Sequence, residues 1–200
     1  MKPSSEGFCY TEEVRGNHTN PWKTLDSKVV HKNRWYSVRK DTVVMPNGKR
    51  GEYNVVDHTD AVFIVALDEN ENIHLIGLYR YPTAMYSLEV PAGGSEGQDP
   101  LEAAKRELQE ETGLQAANWK LLGKIQSANG FFNEFGYIYL VTDLTETNDH
   151  EQAEEGITEH IKVPLAKALS MITSGEITAC QSITAISLAA LHLEKLKSSQ

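Results

Sequence analysis

The chain has 200 residues, of which 40% are hydrophobic and 24% are charged, and its formal net charge is −9 at pH 7. This length and apolar content suffice for one domain with a sizeable core, or for one domain with an N-terminal extension. The acidic balance argues against broad binding to a nucleic-acid backbone or an anionic membrane surface, so we expect neither as a partner.

The ends and the cysteines narrow the class of protein further. No run of the sequence approaches a membrane span, and residues 1–7 lack the apolar segment of a secretory signal, so we expect a cytoplasmic protein. Cys9 and Cys180 lie far apart and have no ligand spacing around them. They predict neither a disulfide framework nor a zinc site.

Three segments follow one another along the chain. Residues 1–20 are polar and aperiodic and predict a flexible extension. Residues 21–57 predict a small antiparallel hairpin sheet, because Asn47-Gly48 is a strong turn signal between two strand-like runs. Its strands are expected at Lys28–His31, Tyr36–Met45 and Tyr53–Val56.

Residues 58–200 alternate irregularly between strand-like and helix-like runs. Strands are predicted at Ala61–Leu67, Ile73–Tyr79, Ser87–Val90, Trp119–Ile125 and Tyr137–Val141. Helices are predicted after Asp99, over Leu165–Thr173 and over roughly Ser182–Leu196. This pattern favours a mixed sheet packed between helices.

The helix after Asp99 has well-specified ends. Asp99 is a good N-cap, Pro100 suits the first helical position, and Glu102 stands where a capping box would place it. Gly113 can adopt the left-handed conformation that ends a helix. We therefore predict a helix from Pro100 to Thr112.

One face of this helix carries Glu107, Glu110 and Glu111. Like charges at i and i+4 cost roughly 0.2–0.5 kcal/mol in an isolated helix, and a hard cation would reverse that sign. Oxygen ligands grouped in this way suit Mg²⁺ or Mn²⁺ rather than Zn²⁺. The alternative is a solvated acidic face, which the three glutamates alone would favour.

A glycine-rich loop, Pro91–Gln98, leads from the strand Ser87–Val90 into the same helix. Glycines let the backbone approach a ligand, and the free amides at a helix start favour anions such as a pyrophosphate. Loop and helix together resemble the Nudix box of the Nudix hydrolases, with the pattern G-x5-E-x7-R-E-U-x-E-E-x-G-U, where U is aliphatic. The second half matches at every position: Arg106, Glu107, Leu108, Glu110, Glu111, Gly113 and Leu114.

The first half of the box departs from the pattern. Counting back from Arg106, the first glutamate falls on Gln98 and the first glycine on Ala92, unless the loop is one residue shorter and Gly93 takes that role. Gln98 could keep a hydrogen bond of the family glutamate but not its charge. Because Glu107 and the other metal-binding glutamates are intact, we expect a working site.

The resemblance extends over about Pro21 to Leu193. Over this range the chain is similar to ADP-ribose pyrophosphatases and related nucleoside diphosphate sugar hydrolases. It is carried by Leu78–Pro82, by Ser87–Gly94 and by Val163-Pro164-Leu165. It implies an α+β fold, an α/β/α sandwich with a mixed central sheet and an N-terminal antiparallel hairpin sheet. It also implies a homodimer and Mg²⁺-dependent hydrolysis of a small nucleotide-sugar substrate, with ADP-ribose first among candidates.

The resemblance also assigns roles to residues. In the subgroup, the positions of Arg80 and Glu89 contact substrate or lie in the site, and a carbonyl at the position of Ala92 ligates metal. Without the box, Arg80 and Glu89 would be read as ordinary strand residues. The full expected set is Glu107, Glu110, Glu111 and Ala92 for metal, Arg106 with Glu107 and Glu111 for catalysis, and Arg80, Glu89, Gly93, Gly94 and Trp35 for substrate.

Two assignments stay open within this resemblance. The general base often comes from a loop beyond the box, which points to Glu154 or Glu155, with Glu151 behind them, although a solvated acidic loop is an equal alternative. The nucleobase is stacked by the N-terminal sheet in related enzymes, where Trp35 is our first choice beside Trp22 and Tyr36. Aromatic residues in a small sheet are more often part of its core.

Three other functions remain under consideration. The chain could hydrolyse another nucleoside diphosphate derivative, since the sequence does not choose among them. It could be a nucleotide-sugar-binding sensor with weak catalysis, because Gln98 and the shortened loop alter the box. An RNA-processing role is disfavoured by the net charge.

Overall fold

The computed structural model describes residues 19–147 and 149–194, so most of the predicted extension, residues 1–20, lies outside the described residues. The strands of this part are β1 (Lys23–Lys32), β2 (Tyr36–Val44), β3 (Arg50–His58), β4 (Ala61–Ala66), β5 (Asn72–Arg80), β6 (Met85–Glu89), β7 (Ala92–Gly94), β8 (Leu114–Ile125), β9 (Gly136–Glu146) and β10 (Ile157–Pro164). Its helices are α1 (Pro100–Thr112), α2 (Leu165–Ser174) and α3 (Cys180–His192).

The chain divides into two compact units. Among the described residues, the first unit comprises 19–59 together with Ala128–Glu134, and the second comprises Asp60–Ser127 and the described residues from Phe135 onward. Among the described residues, no helix has both the length and the apolar character needed to cross a membrane.

The first unit is an antiparallel sheet in the order β1-β2-β3. The predicted Asn47-Gly48 turn joins β2 to β3, with Gly48 at φ +79° and its amide donating to the Met45 carbonyl at 2.8 Å. A positive φ is the conformation that glycine adopts without steric cost. The edge strand β1 is exposed along its whole length.

The second unit holds two sheets and all three described helices. The sheets have the orders β7-β4-β9-β8 and β10-β5-β6, and the β4–β9 pair is parallel in an otherwise antiparallel arrangement. Both faces of β4 are buried: Val62 and Ile64 pack in a cluster with Ala104 and Leu108 of α1, whereas Val65 packs in a cluster with residues of α2 and α3. Helices thus cover both faces of a mixed sheet, as the sequence predicts.

The predicted caps of α1 are confirmed. The Asp99 carboxylate accepts hydrogen bonds from the amides of Leu101 and Glu102, at 2.9 and 3.4 Å, and Pro100 is the first helical residue. Gly113 ends the helix at φ 69°, ψ 19°. These local signals fix where the carboxylate face of α1 begins and ends.

Sequence reasoning missed β10 and β7. β10 includes Glu159 and Lys162, which are polar and exposed, so its apolar alternation is weak. The strand is defined by pairing with β5, from Ile157 opposite Leu78 to Pro164 opposite Asn72. Similarly, the glycine-rich segment Ala92–Gly94 becomes a strand because it pairs with β4.

Candidate active site

The face of α1 predicted to bind metal lies against the glycine-rich strand β7. Glu107 and Glu111 are buried, with only 7% and 4% of their surfaces exposed, whereas Glu110 is half-buried. Both buried carboxylates come from the helix face that packs on the sheet. Burial of two glutamates one turn apart is costly unless the site supplies a counter-charge.

Arg106 supplies part of that counter-charge. Its terminal nitrogens donate to Glu110 at 2.6 Å, to Glu107 at 2.7 Å and to the Gly94 carbonyl at 3.0 Å. Its Nε is buried and has no hydrogen-bond partner among the described residues. Gln98 is exposed, and no hydrogen bond joins it to that Nε.

β7 approaches the glutamates so closely that only its backbone fits. The Ala92 amide donates to Glu111 at 2.7 Å. A Cβ built on Gly93 would lie 2.1–2.3 Å from the carboxyl atoms of Glu107. Gly93, the first glycine of the loop, is therefore required by the close approach of the Glu107 carboxylate.

The two buried glutamates are poorly balanced electrostatically. Burial, together with the charges of Glu110 and Glu155, raises the pKa of Glu107 to about 7 against the lowering effect of Arg106. Burial also raises the pKa of Glu111 well above its ordinary value, and the charges of Glu107 and Glu155 add to that rise. The site therefore carries more carboxylate than its cations neutralise.

The buried carboxylate of Glu89 forms an ion pair with the exposed Arg80. Arg80 donates from Nε and Nη2 to the two carboxylate oxygens of Glu89, at 3.0 and 2.8 Å. The hydrogen bonds of Glu89 raise the pKa of Arg80, and the charges of Glu111 and Glu155 add to that rise. Arg80 is thus held rigidly at the end of β5 within electrostatic reach of the glutamate cluster.

The predicted base candidates separate in the structure. Glu155 acts electrostatically on Glu107, Glu111 and Arg80 together, whereas neither Glu154 nor Glu151 is among the groups that shift the pKa of these three residues. All three candidates are exposed. The charge of Glu155 thus acts on the same cluster to which Arg80, Glu89, Ala92 and Gly93 belong.

The carboxylate oxygens of the α1 glutamates are the type of ligand that a hard cation prefers, although they do not converge on one position. Within residues 19–147 and 149–194, no three Asp, Glu, His or Cys side chains form a group that could hold a metal ion. The reason is visible in the contacts, since Arg106 holds Glu107 and Glu110 while Glu111 is turned to the Ala92 amide. The buried, unbalanced carboxylates of Glu107 and Glu111 are the feature that a divalent ion would compensate.

Trp35 lies in the first unit, in the turn between β1 and β2. Its side chain is 61% exposed, and the Arg34 guanidinium lies 4.1 Å from the centre of its ring. Trp22 is also exposed and makes an edge-to-face contact with Tyr53 at 5.6 Å. These aromatic residues are surface residues of the sheet, so one face of Trp35 remains available for stacking.

Gln152 is a contact residue that sequence reasoning missed. Its side-chain amide donates to the Glu111 carbonyl at 2.9 Å. A single glutamine inside an acidic run, Asp149–Glu155, carries no motif that would identify it. Only the fold brings it to the helix.

Two segments of the chain match known protein families. Residues 57–178 match the NUDIX domain family, which is more than half of the chain. The chain belongs to the Nudix family. Residues 22–56 match the nucleoside diphosphate sugar hydrolase N-terminal domain, so the predicted subgroup is confirmed as well.

Individual relatives of this Nudix hydrolase agree in sequence and fold. An ADP-ribose pyrophosphatase of Mycobacterium tuberculosis (strain ATCC 25618 / H37Rv) is 36% identical over 177 residues, covering 86% of this chain and 83% of that protein. A GDP-mannose pyrophosphatase of Yersinia enterocolitica (serotype O:8 / biotype 1B) is 26% identical over 184 residues, covering 85% and 95%. The crystal structure of an ADP compounds hydrolase is similar at a TM-score of 0.77 and 24% identity, over 90% of this chain and 98% of that chain.

The family assignment confirms two predictions. The α+β fold with a mixed sheet between helices is that of the Nudix neighbour, and the chain is a Nudix pyrophosphohydrolase. Nudix hydrolases generally use a divalent metal, which agrees with the oxygen-rich helix face.

Proposed function

We propose that this Nudix hydrolase splits the diphosphate bond of ADP-ribose, giving a nucleoside monophosphate and a sugar phosphate, with Mg²⁺ as its metal and Mn²⁺ as a substitute. The observation that carries the proposal is the excess of buried carboxylate on α1 beside the rigid Arg80. The 36% identical relative, an ADP-ribose pyrophosphatase, favours ADP-ribose among nucleotide sugars.

In this proposal Glu107, Glu110, Glu111 and the Ala92 carbonyl hold the metal. When bound, the ion neutralises diphosphate charge and stabilises the leaving phosphate. Glu107 and Glu110 would have to leave Arg106 to coordinate the ion, and metal–oxygen contacts would compensate the hydrogen bonds that are lost. Arg106 then keeps the loop in place through the Gly94 carbonyl.

The substrate is held by the chain around this cluster. Arg80 binds a diphosphate oxygen, and Glu89 fixes the plane of its guanidinium through two hydrogen bonds. Gly93 and Gly94 let the phosphates approach the backbone of β7. The attacking water adds to phosphorus as the bond to the bridging oxygen breaks, and Glu155 accepts the proton of that water. Glu154 is the second candidate for this general base.

The first unit has two roles in the proposal, base stacking by Trp35 and formation of a homodimer. Val29 and Val30 on the edge strand β1 are 56% and 53% exposed, and an exposed apolar edge strand is a surface that pairs with another chain. We retain the predicted division into residues 21–57 for these roles and residues 58–200 for catalysis. We also retain the cytoplasm as its location.

The oligomeric state is tested by sedimentation of the wild type and of Val29→Lys. A dimer that the substitution converts to monomer supports pairing through β1. A monomeric wild type contradicts it.

The hydrolase function is tested with a panel of nucleotide sugars in Mg²⁺ or Mn²⁺, with products identified by mass. We expect metal-dependent cleavage of ADP-ribose to a monophosphate, lost in Glu111→Gln. Glu102→Gln is the matched control, because Glu102 lies on the same helix but is exposed and pairs with Lys105. Absence of metal-dependent turnover on every member of the panel would refute the function.

A further inference from the structure

We propose that Gln152 is a positioning residue that fastens the acidic loop, residues 149–156, to the end of α1 and so places Glu155 for proton transfer. The inference rests on the proposed function, in which Glu155 accepts the proton of the attacking water. It assigns to the glutamine a role that depends on one side-chain hydrogen bond, from Gln152 to the Glu111 carbonyl at 2.9 Å.

The loop attaches to backbone carbonyls that α1 itself leaves free. The last four carbonyls of a helix have no partner within the helix and must be paired by other groups. The Glu151 amide donates to the Glu110 carbonyl at 2.7 Å, and the Gln152 side chain takes the next carbonyl along. Two successive carbonyls of the metal-binding helix are therefore capped by two successive residues of the loop.

Gln152 also organises the turn that carries Glu155, the proposed general base. Its own carbonyl accepts the Ile157 amide at 2.9 Å, while the amides of Glu154 and Glu155 donate to the Glu151 carbonyl at 2.9 and 3.1 Å. The turn from Glu151 to Ile157 is thus closed on itself and tied to α1 by its first two residues. A shift of Gln152 would carry Glu155 with it.

The Gln109 side chain of α1 also donates to Asp149 at 2.7 Å, but the loop adds little packing to these hydrogen bonds. Within 149–156, Gln152 is half-buried while the other residues are exposed. A cavity of about 290 Å³ is lined by residues of both the loop and α1: Arg106, Gln109, Glu110, Asp149, His150 and Glu151. Hydrogen bonds rather than apolar contacts therefore hold the loop in place.

Electrostatics makes such a fastening necessary. The C-terminal end of a helix is the negative end of its dipole, so an acidic loop is repelled there. Glu155 must in addition stay close to the carboxyl groups of Glu107 and Glu111, whose pKa values its charge raises. The neutral amide of Gln152 donates to this end of the helix without adding a further negative charge.

The inference is tested by kinetics of Gln152→Ala and the isosteric Gln152→Glu, which keeps the length of the side chain but loses its donor. We expect kcat to fall about 10-fold in both variants with KM unchanged, since loss of one hydrogen bond misplaces the base and not the substrate. Gln181→Ala is the matched control, because Gln181 is also half-buried but lies in α3. A wild-type kcat in Gln152→Ala, or a change confined to KM, would overturn the proposal.

A double-mutant cycle separates positioning of Glu155 from general loosening of the fold. In the Glu155→Gln background, Gln152→Ala should cause little further loss, because the group it positions is already gone. Losses that multiply would overturn the assignment. So would a Glu155→Gln variant with wild-type kcat.

Hydrogen exchange gives a readout that does not need turnover. We expect the segment 149–157 to exchange faster in Gln152→Ala than in the wild type, with peptides of β4 and β9 unchanged. Unchanged exchange in the loop would refute the fastening, whatever the kinetics. Faster exchange in a protein that cleaves no nucleotide sugar would support the fastening while refuting the proposed function.

Discussion

Glu89 and Glu111 are both buried carboxylates of the second unit, with 9% and 4% of their surfaces exposed, yet their pKa values move in opposite directions. Burial raises the pKa of each, but the two hydrogen bonds and the charge of Arg80 lower that of Glu89 below its ordinary value. Among the described residues, the Glu111 carboxylate accepts one hydrogen bond, from the Ala92 amide, and it faces other carboxylates, so its pKa remains raised. Glu89 pairs with an arginine through two hydrogen bonds, whereas no such pair is found for Glu111 in the described part of the chain.

This difference in pKa distinguishes Glu89, which positions Arg80 through an ion pair, from Glu111, which we propose as a metal ligand. A buried carboxylate with a bidentate arginine is satisfied and holds the arginine still. A buried carboxylate without a counter-charge reduces stability at neutral pH and gains most from a bound cation. The substitutions below separate the two cases.

The largest effect is expected for Glu111→Gln. Activity should fall about 100- to 1000-fold through loss of a group at the reacting centre. The metal-free protein should become more stable at pH 7. Because the pKa of Glu111 is raised in the folded state, its presence costs stability as pH rises above the ordinary value of 4.5. The amide of the glutamine does not ionise, so the variant avoids this cost. Kinetics and denaturant unfolding with a chelator measure the two effects, and a fall in both activity and stability would contradict this account.

The next largest effect on activity is expected for Gly93→Ala. Its Cβ would overlap the Glu107 carboxyl, which must then leave its position against β7. We expect activity to fall about 10- to 100-fold, as for loss of a group that orients a metal ligand. Gly130→Ala is the control, because a Cβ there meets no atom within 4 Å and needs no shift. Steady-state kinetics at saturating metal would show the difference, and equal rates in the two variants would refute it.

Glu89→Gln should have the opposite effect on stability from Glu111→Gln. Arg80 loses a charged partner, so the free energy of unfolding at pH 7 should fall by about 1–2 kcal/mol, discounted because Arg80 is partly exposed. The pKa of Glu89 is lowered, so its contribution is present above the ordinary value of 4.5 and is lost as pH falls below it. Urea unfolding at pH 7 and pH 4 should therefore show the gap to wild type closing in acid, and a constant gap would contradict the assignment.

The smallest effect concerns the buried His74 and the half-buried His160, which lie against each other. The rings of His74 and His160 share a hydrogen bond of 2.9 Å, and burial lowers the pKa of His74 to about 4 and also lowers that of His160. Since the unfolded chain binds protons more readily near the ordinary value of 6.5, stability should fall as pH drops from 7 to 5, on the order of 1 kcal/mol. His74→Gln should flatten that slope in urea unfolding, whereas His192→Gln, on the exposed end of α3, should leave it unchanged.

The helix of the box was predictable almost to the residue because its signals are local. Asp99, Pro100 and Gly113 specify its ends, and the spacing of Glu107 and Glu111 puts both on one face. The strands β4, β5 and β9 were found for a related reason, since runs such as Ala61–Leu67 are continuously apolar. β10 was missed because polar residues such as Glu159 interrupt its pattern and only its partner β5 makes it a strand.

The sequence by itself determined the Nudix box, the family and the chemical type of its ligands, because those depend on residue identity at fixed spacing over one loop and one helix. The tertiary structure alone decided which charges are balanced. Whether Glu89 has a partner depends on strands β5 and β6 lying side by side, and whether Glu155 reaches α1 depends on the loop docking through Gln152. Burial and charge balance are properties of groups distant in sequence, so they exist only once the chain has folded.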